Sequence, residues 1–221
     1  MSLLWLGFLA LLWCAPVFAT SCPTAALSVY EGFGATGCTV GLFTFHDFNF
    51  ILGAPSVGGP VALTAADINV LPVTMPTKFG LNYAFGGFSV ATGQKITYLL
   101  TYTVDPQPPS FGVSILVLMR TLRFPGIASI TSLECPGAPF TGTTCPSPTV
   151  TNTVSDNGTS ASHLHTDIQQ IPGSTNILGD RTTIVLDTTA SGRAEFLNFT
   201  ESVVTPEPGT LALTALASAL L

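Results

Sequence analysis

The side chains best suited to chemistry are His163, His165 and Asp167, in the string His163-Leu164-His165-Thr166-Asp167. Successive residues of a strand point to opposite faces, so these three share one face. Two imidazoles and a carboxylate there could ligate a divalent metal and activate a water, the chemistry of a metal-dependent hydrolase. The plainer account of the same string is a polar, solvated strand face. A second candidate is His46-Asp47, which could serve a serine as the base of a hydrolase triad. No Gly-x-Ser-x-Gly elbow accompanies it. Asp180 and Asp187 flank one strand and could take calcium with loop carbonyls, which makes calcium the one cofactor to consider. No pattern selects two carboxylates for glycoside hydrolysis. The expectation is therefore a non-enzymatic chain without catalytic or cofactor-binding residues.

His163-Leu164-His165-Thr166-Asp167 also resembles part of the H-x-H-x-D-H motif of metallo-hydrolases. Ile168 stands where that motif has its last His, and His46 is the only other histidine in the chain.

Composition narrows the function classes. Charged residues make up 8% of 221, and the net charge of −6 comes with only six Lys and Arg. Such a surface does not neutralise phosphates, which argues against nucleic-acid binding. The first 19 residues are apolar and end in Val17-Phe18-Ala19, the pattern of a secretory signal peptide cleaved after Ala19. Cys14 would leave with it. Cys22, Cys38, Cys135 and Cys145 remain, an even number with three possible pairings. The local pairs Cys22–Cys38 and Cys135–Cys145 each close a short Gly/Pro-rich loop and are the expected bridges. No Cys spacing suits zinc.

At the other end, Pro206 and Pro208 dictate an extended hinge, and Thr210 can cap a helix over Leu211–Leu221. Those 11 residues are about half of the ~20 that cross a bilayer, so any membrane contact is transient. Pro206-Glu207-Pro208, then Gly209-Thr210 and the Leu/Ala run, resembles the PEP-CTERM sorting signal of exported bacterial proteins. In that family a basic cluster closes a longer run, whereas this sequence ends at Leu221. Cys22, Tyr30, Cys38 and the Phe-rich stretch after them also look like the start of exported PEP-CTERM proteins. The resemblance implies export to the cell envelope or beyond, recognition of residues 204–221 by export and sorting machinery, and association with extracellular polysaccharide.

The remainder, 20–203, reads as one all-β domain, a jelly-roll-like antiparallel β-sandwich. In Cys38–Ile51, Phe43 and Phe45 share one parity and Phe48 and Phe50 the other, so a bulge or bend is expected at His46-Asp47. Pro72 assigns 68–74 to an edge or bulge. Gly86-Gly87 breaks the alternation of 79–90 in the same way. Gln94–Val104 is dense in β-branched and aromatic residues. Phe111–Thr121 is the most apolar strand and is expected at a sheet centre, paired with Ala128–Cys135 across Pro125-Gly126. The function these features suggest is structural or interactive at the cell surface. The alternative is a carbohydrate-binding module. Both Trp residues fall within 1–19, however, and Tyr30, Tyr83, Tyr98 and Tyr102 read as core residues.

Overall fold

Lys95–Pro106 shows how the fold is written. Ile96, Tyr98, Leu100, Tyr102 and Val104 are buried, while Lys95, Thr97, Leu99, Thr101 and Asp105 between them are only half-buried. That period of two makes one face of a strand core and the other surface. The computed structural model describes residues 19–53, 56–106, 110–111, 114–122, 126–156, 164–171, 174–190 and 192–204. The expected signal peptide and C-terminal sorting tail fall outside these residues, apart from Ala19 and Val204.

In chain order the elements are β1 (Thr20–Ser21), β2 (Ala25–Ala26), α1 (Leu27–Glu31), β3 (Cys38–Val40), β4 (Phe43–Leu52) and β5 (Asn69–Met75). Next come β6 (Lys78–Val90), β7 (Lys95–Pro106), β8 (Ser110–Phe111), β9 (Ser114–Leu122) and β10 (Ile127–Pro136). The last are β11 (Val150–Asp156), β12 (Leu164–Gln170), β13 (Ser174–Thr175), β14 (Leu178–Asp187) and β15 (Ala194–Val204). They form a sandwich of two sheets. One has seven strands in the order β1-β3-β4-β7-β14-β10-β11, the other six in the order β12-β9-β15-β6-β5-β2. A small third sheet joins β13 to β8. Each sheet offers one face to the shared core, as sandwich packing requires.

Aromatic rings dominate that core. Phe43, Phe45, Phe48 and Phe50 all point inward although their parity changes. The β4–β7 register shifts between His46 and Asn49, and Asp47 takes φ 55. This bulge resets the phase and keeps all four rings inside. Tyr83 stacks on Phe199 at 4.8 Å between ring centroids, and Phe48 on Tyr102 at 5.4 Å. The four tyrosines are core residues, at most 5% exposed.

Cys22 is bonded to Cys38 and Cys135 to Cys145. The first bridge closes a loop in which the chain visits the six-stranded sheet through β2 and returns by α1. It returns beside β1, so β1 and β3 run parallel, the one exception to the antiparallel pairing of the two sheets. Pro72 sits beyond the short β2 contact, on the exposed edge of β5.

Two expectations are corrected. β9 lies between β12 and β15, one place in from the edge, while β15 and β6 hold the centre with Phe196, Phe199, Tyr83 and Phe85. Nor do β9 and β10 form a hairpin. β10 pairs with β14 and β11 in the opposite sheet. Gly126 is pinned where the chain crosses: its N–H donates to the Arg193 carbonyl at 3.2 Å, and it packs against Thr188 and Ala194.

Candidate functional site

The Cys135–Cys145 loop folds back over the outer face of the seven-stranded sheet. Its seat is Gly179 on β14, whose N–H donates to the Ala138 carbonyl at 3.0 Å. A Cβ at Gly179 would stand 2.8 Å from both that oxygen and the Phe140 nitrogen, so only glycine allows this approach. Arg181, two residues on, holds the loop from below. Its guanidinium lies 5.7 Å from the Phe140 ring centroid and donates to the Thr143 carbonyl at 3.0 Å.

Beneath the loop edge the register sets out two rows of side chains. Asn49, Thr101 and Arg181 are neighbours across β4, β7 and β14, and so are Ile51, Leu99 and Thr183. Three strands span roughly 10 Å. Asn49, Ile51, Leu99, Thr101, Phe140 and Thr143 enclose a groove of about 360 Å³. A second hollow of about 150 Å³ shares Thr101 and Phe140 and extends toward Asp47 and Thr103. The first volume is within the range of small-molecule sites. Ile51 is 45% exposed, so part of the apolar floor meets solvent.

His46 lies farther along the same face. Its Nδ1 is 2.8 Å from Asp47 Oδ2, and its Nε2 is 3.1 Å from Asp105 Oδ2. Both ring nitrogens are therefore occupied by carboxylates, and neither is left to take a proton from a serine. The ring braces the bulge.

Of the metal candidates only the Asp167 side chain lies among the described residues. His163 is outside the described residues, and of His165 only the backbone, paired with Met119, is described. Asp167 Oδ2 accepts the Thr153 N–H at 2.7 Å, and Oδ1 accepts from Gln169 Nε2 at 2.9 Å. Its carboxylate thus ties β12 to β11. Among the described residues no group of three or more His, Cys, Asp or Glu could hold a metal. The calcium pair is separated by its parity. Asp180 points into the core, whereas Asp187 points outward to Lys95 Nζ at 2.9 Å and to the Thr189 hydroxyl at 2.6 Å. The Thr189 hydrogen bonds, with Lys95 helping, hold the Asp187 carboxyl down at about 2.

Asp180 instead belongs to a polar cluster sealed between the sheets. Glu134 on β10, Asp180 on β14 and Glu201 on β15 are 0%, 2% and 2% exposed. Ser132 Oγ lies 2.8 Å from Asp180 Oδ2 and 3.1 Å from Glu134 Oε1. Thr182 Oγ1 lies 2.8 Å from Asp180 Oδ1 and 2.5 Å from Glu201 Oε1. The Tyr102 hydroxyl donates to Glu201 Oε2 at 2.7 Å, and Asn152 Nδ2 to Glu134 Oε1 at 2.9 Å. Loss of water raises all three carboxyls, and for Asp180 the neighbouring Glu201 and Glu134 add to it. Glu134 is pushed up to about 8. Burial likewise lifts the Tyr83 and Tyr102 hydroxyls well above their ordinary value, so both are neutral. A void of about 10 Å³ beside Asp180 and Glu201 leaves no room for a sugar.

Neither the groove nor the cluster is announced by a motif. Phe140 sits in a Gly/Pro loop that reads as bridge filler. The cluster carries a usable signal in parity, because Asp180 and Thr182 share the phase of Leu178, Ile184 and Leu186.

No family model matches the sequence, and no curated protein is similar to it at a significant level. Among the solved structures that overlap with it are two carbohydrate-binding modules. One is the carbohydrate-binding module TmCBM61 in complex with β-1,4-galactotriose, with a TM-score of 0.36 and 8% identity over 72% of this chain and 88% of that one. The other is a carbohydrate-binding module from Cellvibrio mixtus lichenase 5A in complex with cellotriose, with a TM-score of 0.28 and 16% identity over 64% and 89%. Overlap at this level carries no ligand across to this chain.

Proposed function

We propose that this chain is an exported, non-catalytic β-sandwich that binds a segment of neutral extracellular polysaccharide in the groove under the Cys135–Cys145 loop. One observation carries the reading: Phe140, Leu99 and Ile51 provide an apolar surface framed by the neutral hydrogen-bonding groups of Asn49, Thr101 and Thr143. A pyranose ring has the matching chemistry, with an apolar C–H face and a rim of hydroxyls. The two disulfides suit an oxidising compartment, and no helix among the described residues is long and apolar enough to cross a membrane. Residues 1–19 would direct export, and the tail at 204–221, with Pro206-Glu207-Pro208, would be read by the sorting machinery. Its Leu211–Leu221 run would touch the membrane in passing.

Retention on immobilised neutral polysaccharides tests the binding. The native protein should be retained, and Phe140→Ala should lose at least about tenfold in affinity, the size expected for one buried aromatic anchor. Equal retention of both proteins, or none on any glycan, would refute the groove. N-terminal sequencing of the exported protein should start at Thr20.

A further inference from the structure

We propose that the cluster of Glu134, Asp180 and Glu201 is a proton-binding site, so that the folded protein holds at least two hydrogen ions that the unfolded chain gives up at neutral pH. The count follows from hydrogen-bond geometry. Ser132 has one hydroxyl hydrogen but faces two carboxyl oxygens, on Asp180 and Glu134. Whichever of these it does not donate to must carry a proton and donate back. Thr182 is in the same position between Asp180 and Glu201. If Asp180 is ionised it accepts from both hydroxyls, and both glutamates must then be protonated. If Asp180 is protonated its single hydrogen serves only one hydroxyl, and a glutamate must serve the other. Either way two protons are held and at most one charge remains.

The surroundings agree with that count. Among the described residues, the side chains that neighbouring strands bring to the cluster are neutral: Tyr102 from β7, Tyr83 from β6 and Asn152 from β11. Asp156, also buried, lies four positions beyond Asn152 on β11, roughly 13 Å along the strand. His46, Asp47, Asp105, Arg181, Lys95 and Asp187 lie on the outer face of the sheet. Among the described residues no cation reaches inside to offset three negative charges, and isolated buried carboxylates protonate in preference to remaining charged. In the unfolded chain the same groups return to their ordinary range near 4, so at neutral pH unfolding must release the protons.

The experiment is potentiometric. The disulfide-bonded protein is unfolded with guanidinium in unbuffered solution at pH 7, beside the variant Glu134→Gln/Asp180→Asn/Glu201→Gln. The native protein should release about two more protons per chain than the variant. A difference of zero would overturn the proposal. If the variant does not fold, infrared spectroscopy of the native protein in heavy water at pH 7 decides. A protonated-carboxyl C=O band that disappears on unfolding supports the site, and absence of that band in the folded state refutes it. Elemental analysis of the same sample should find no stoichiometric cation. Finding one that resists chelation would mean that a metal neutralises the cluster, which also overturns the proposal.

Discussion

Alkaline pH should destabilise this domain, and the Glu134→Gln variant should reverse its rank against the parent protein as pH rises. The Glu134 carboxyl moves from an ordinary 4.5 up to about 8, with burial as the largest cause. A raised carboxyl gives stability that is fully present below the unfolded value, declines as pH rises toward 8 and is gone above it. Each tenfold gain in proton affinity on folding is worth about 1.4 kcal/mol, so Glu134 alone accounts for up to about 5 kcal/mol. A domain has about 5–15 kcal/mol in total. With two protons released, the unfolding constant should rise about a hundredfold per pH unit in the steep range. Asp187 has the opposite sign, but its contribution is lost only as pH falls from about 4 toward 2. The assay is guanidinium unfolding at pH 5, 7 and 9 at fixed ionic strength, followed by circular dichroism. The midpoint should fall with pH while the denaturant slope stays constant. In Glu134→Gln the amide can donate to Ser132, but its nitrogen cannot also accept from Asn152 as Oε1 does. It should therefore be about 1 kcal/mol less stable at pH 5 and more stable at pH 9. Parallel curves, or a midpoint that rises between pH 5 and 8, would refute the reasoning.

Two further outcomes follow from the loop. Gly179→Ala drives a Cβ to 2.8 Å from the Ala138 oxygen and the Phe140 nitrogen. It should cost about 1–3 kcal/mol in thermal or denaturant unfolding and weaken polysaccharide retention along with the loop's seat. Replacing Cys135 and Cys145 together with Ser removes the bridge over a separation of 10 residues. Stability should drop by about 2–3 kcal/mol, with the circular dichroism of the sandwich unchanged and glycan retention lost.

Much of the architecture was legible because strands announce themselves locally. The alternation in Lys95–Pro106 and the phase change at His46-Asp47 are properties of adjacent residues, and the bulge that keeps Phe48 and Phe50 inside follows from them. Partnership is not local. Pro125-Gly126 says that the chain turns but not that it leaves one sheet for the other, so the expected hairpin between β9 and β10 failed. The carboxyl cluster was hidden for the same reason. Glu134, Asp180 and Glu201 come from three separate strands, and the parity that turns Asp180 inward does not say which carboxyls it meets there. Asp167 drew attention by its spacing to two histidines, yet its oxygens serve Thr153 and Gln169. Spacing within one strand places side chains on a common face, but it does not say what stands opposite them.

The cluster and the groove meet on one strand, and this gives a last test. Gly179, Asp180 and Arg181 are consecutive on β14. Asp180 turns inward to the hydroxyls of Ser132 and Thr182, while Gly179 and Arg181 turn outward and fix the loop that carries Phe140. Glu201 joins the same cluster from the opposite sheet, so the protons also bridge the two layers. Ionising the cluster places like charges against one another near the start of β14, and the strand cannot shift there without moving the seat of the loop. Polysaccharide retention should then weaken between pH 7 and 9 under conditions where circular dichroism still reports a folded sandwich. The triple amide variant, if folded, should bind independently of pH over that range. Retention that is flat in the native protein up to its unfolding would show that the two faces of β14 act independently.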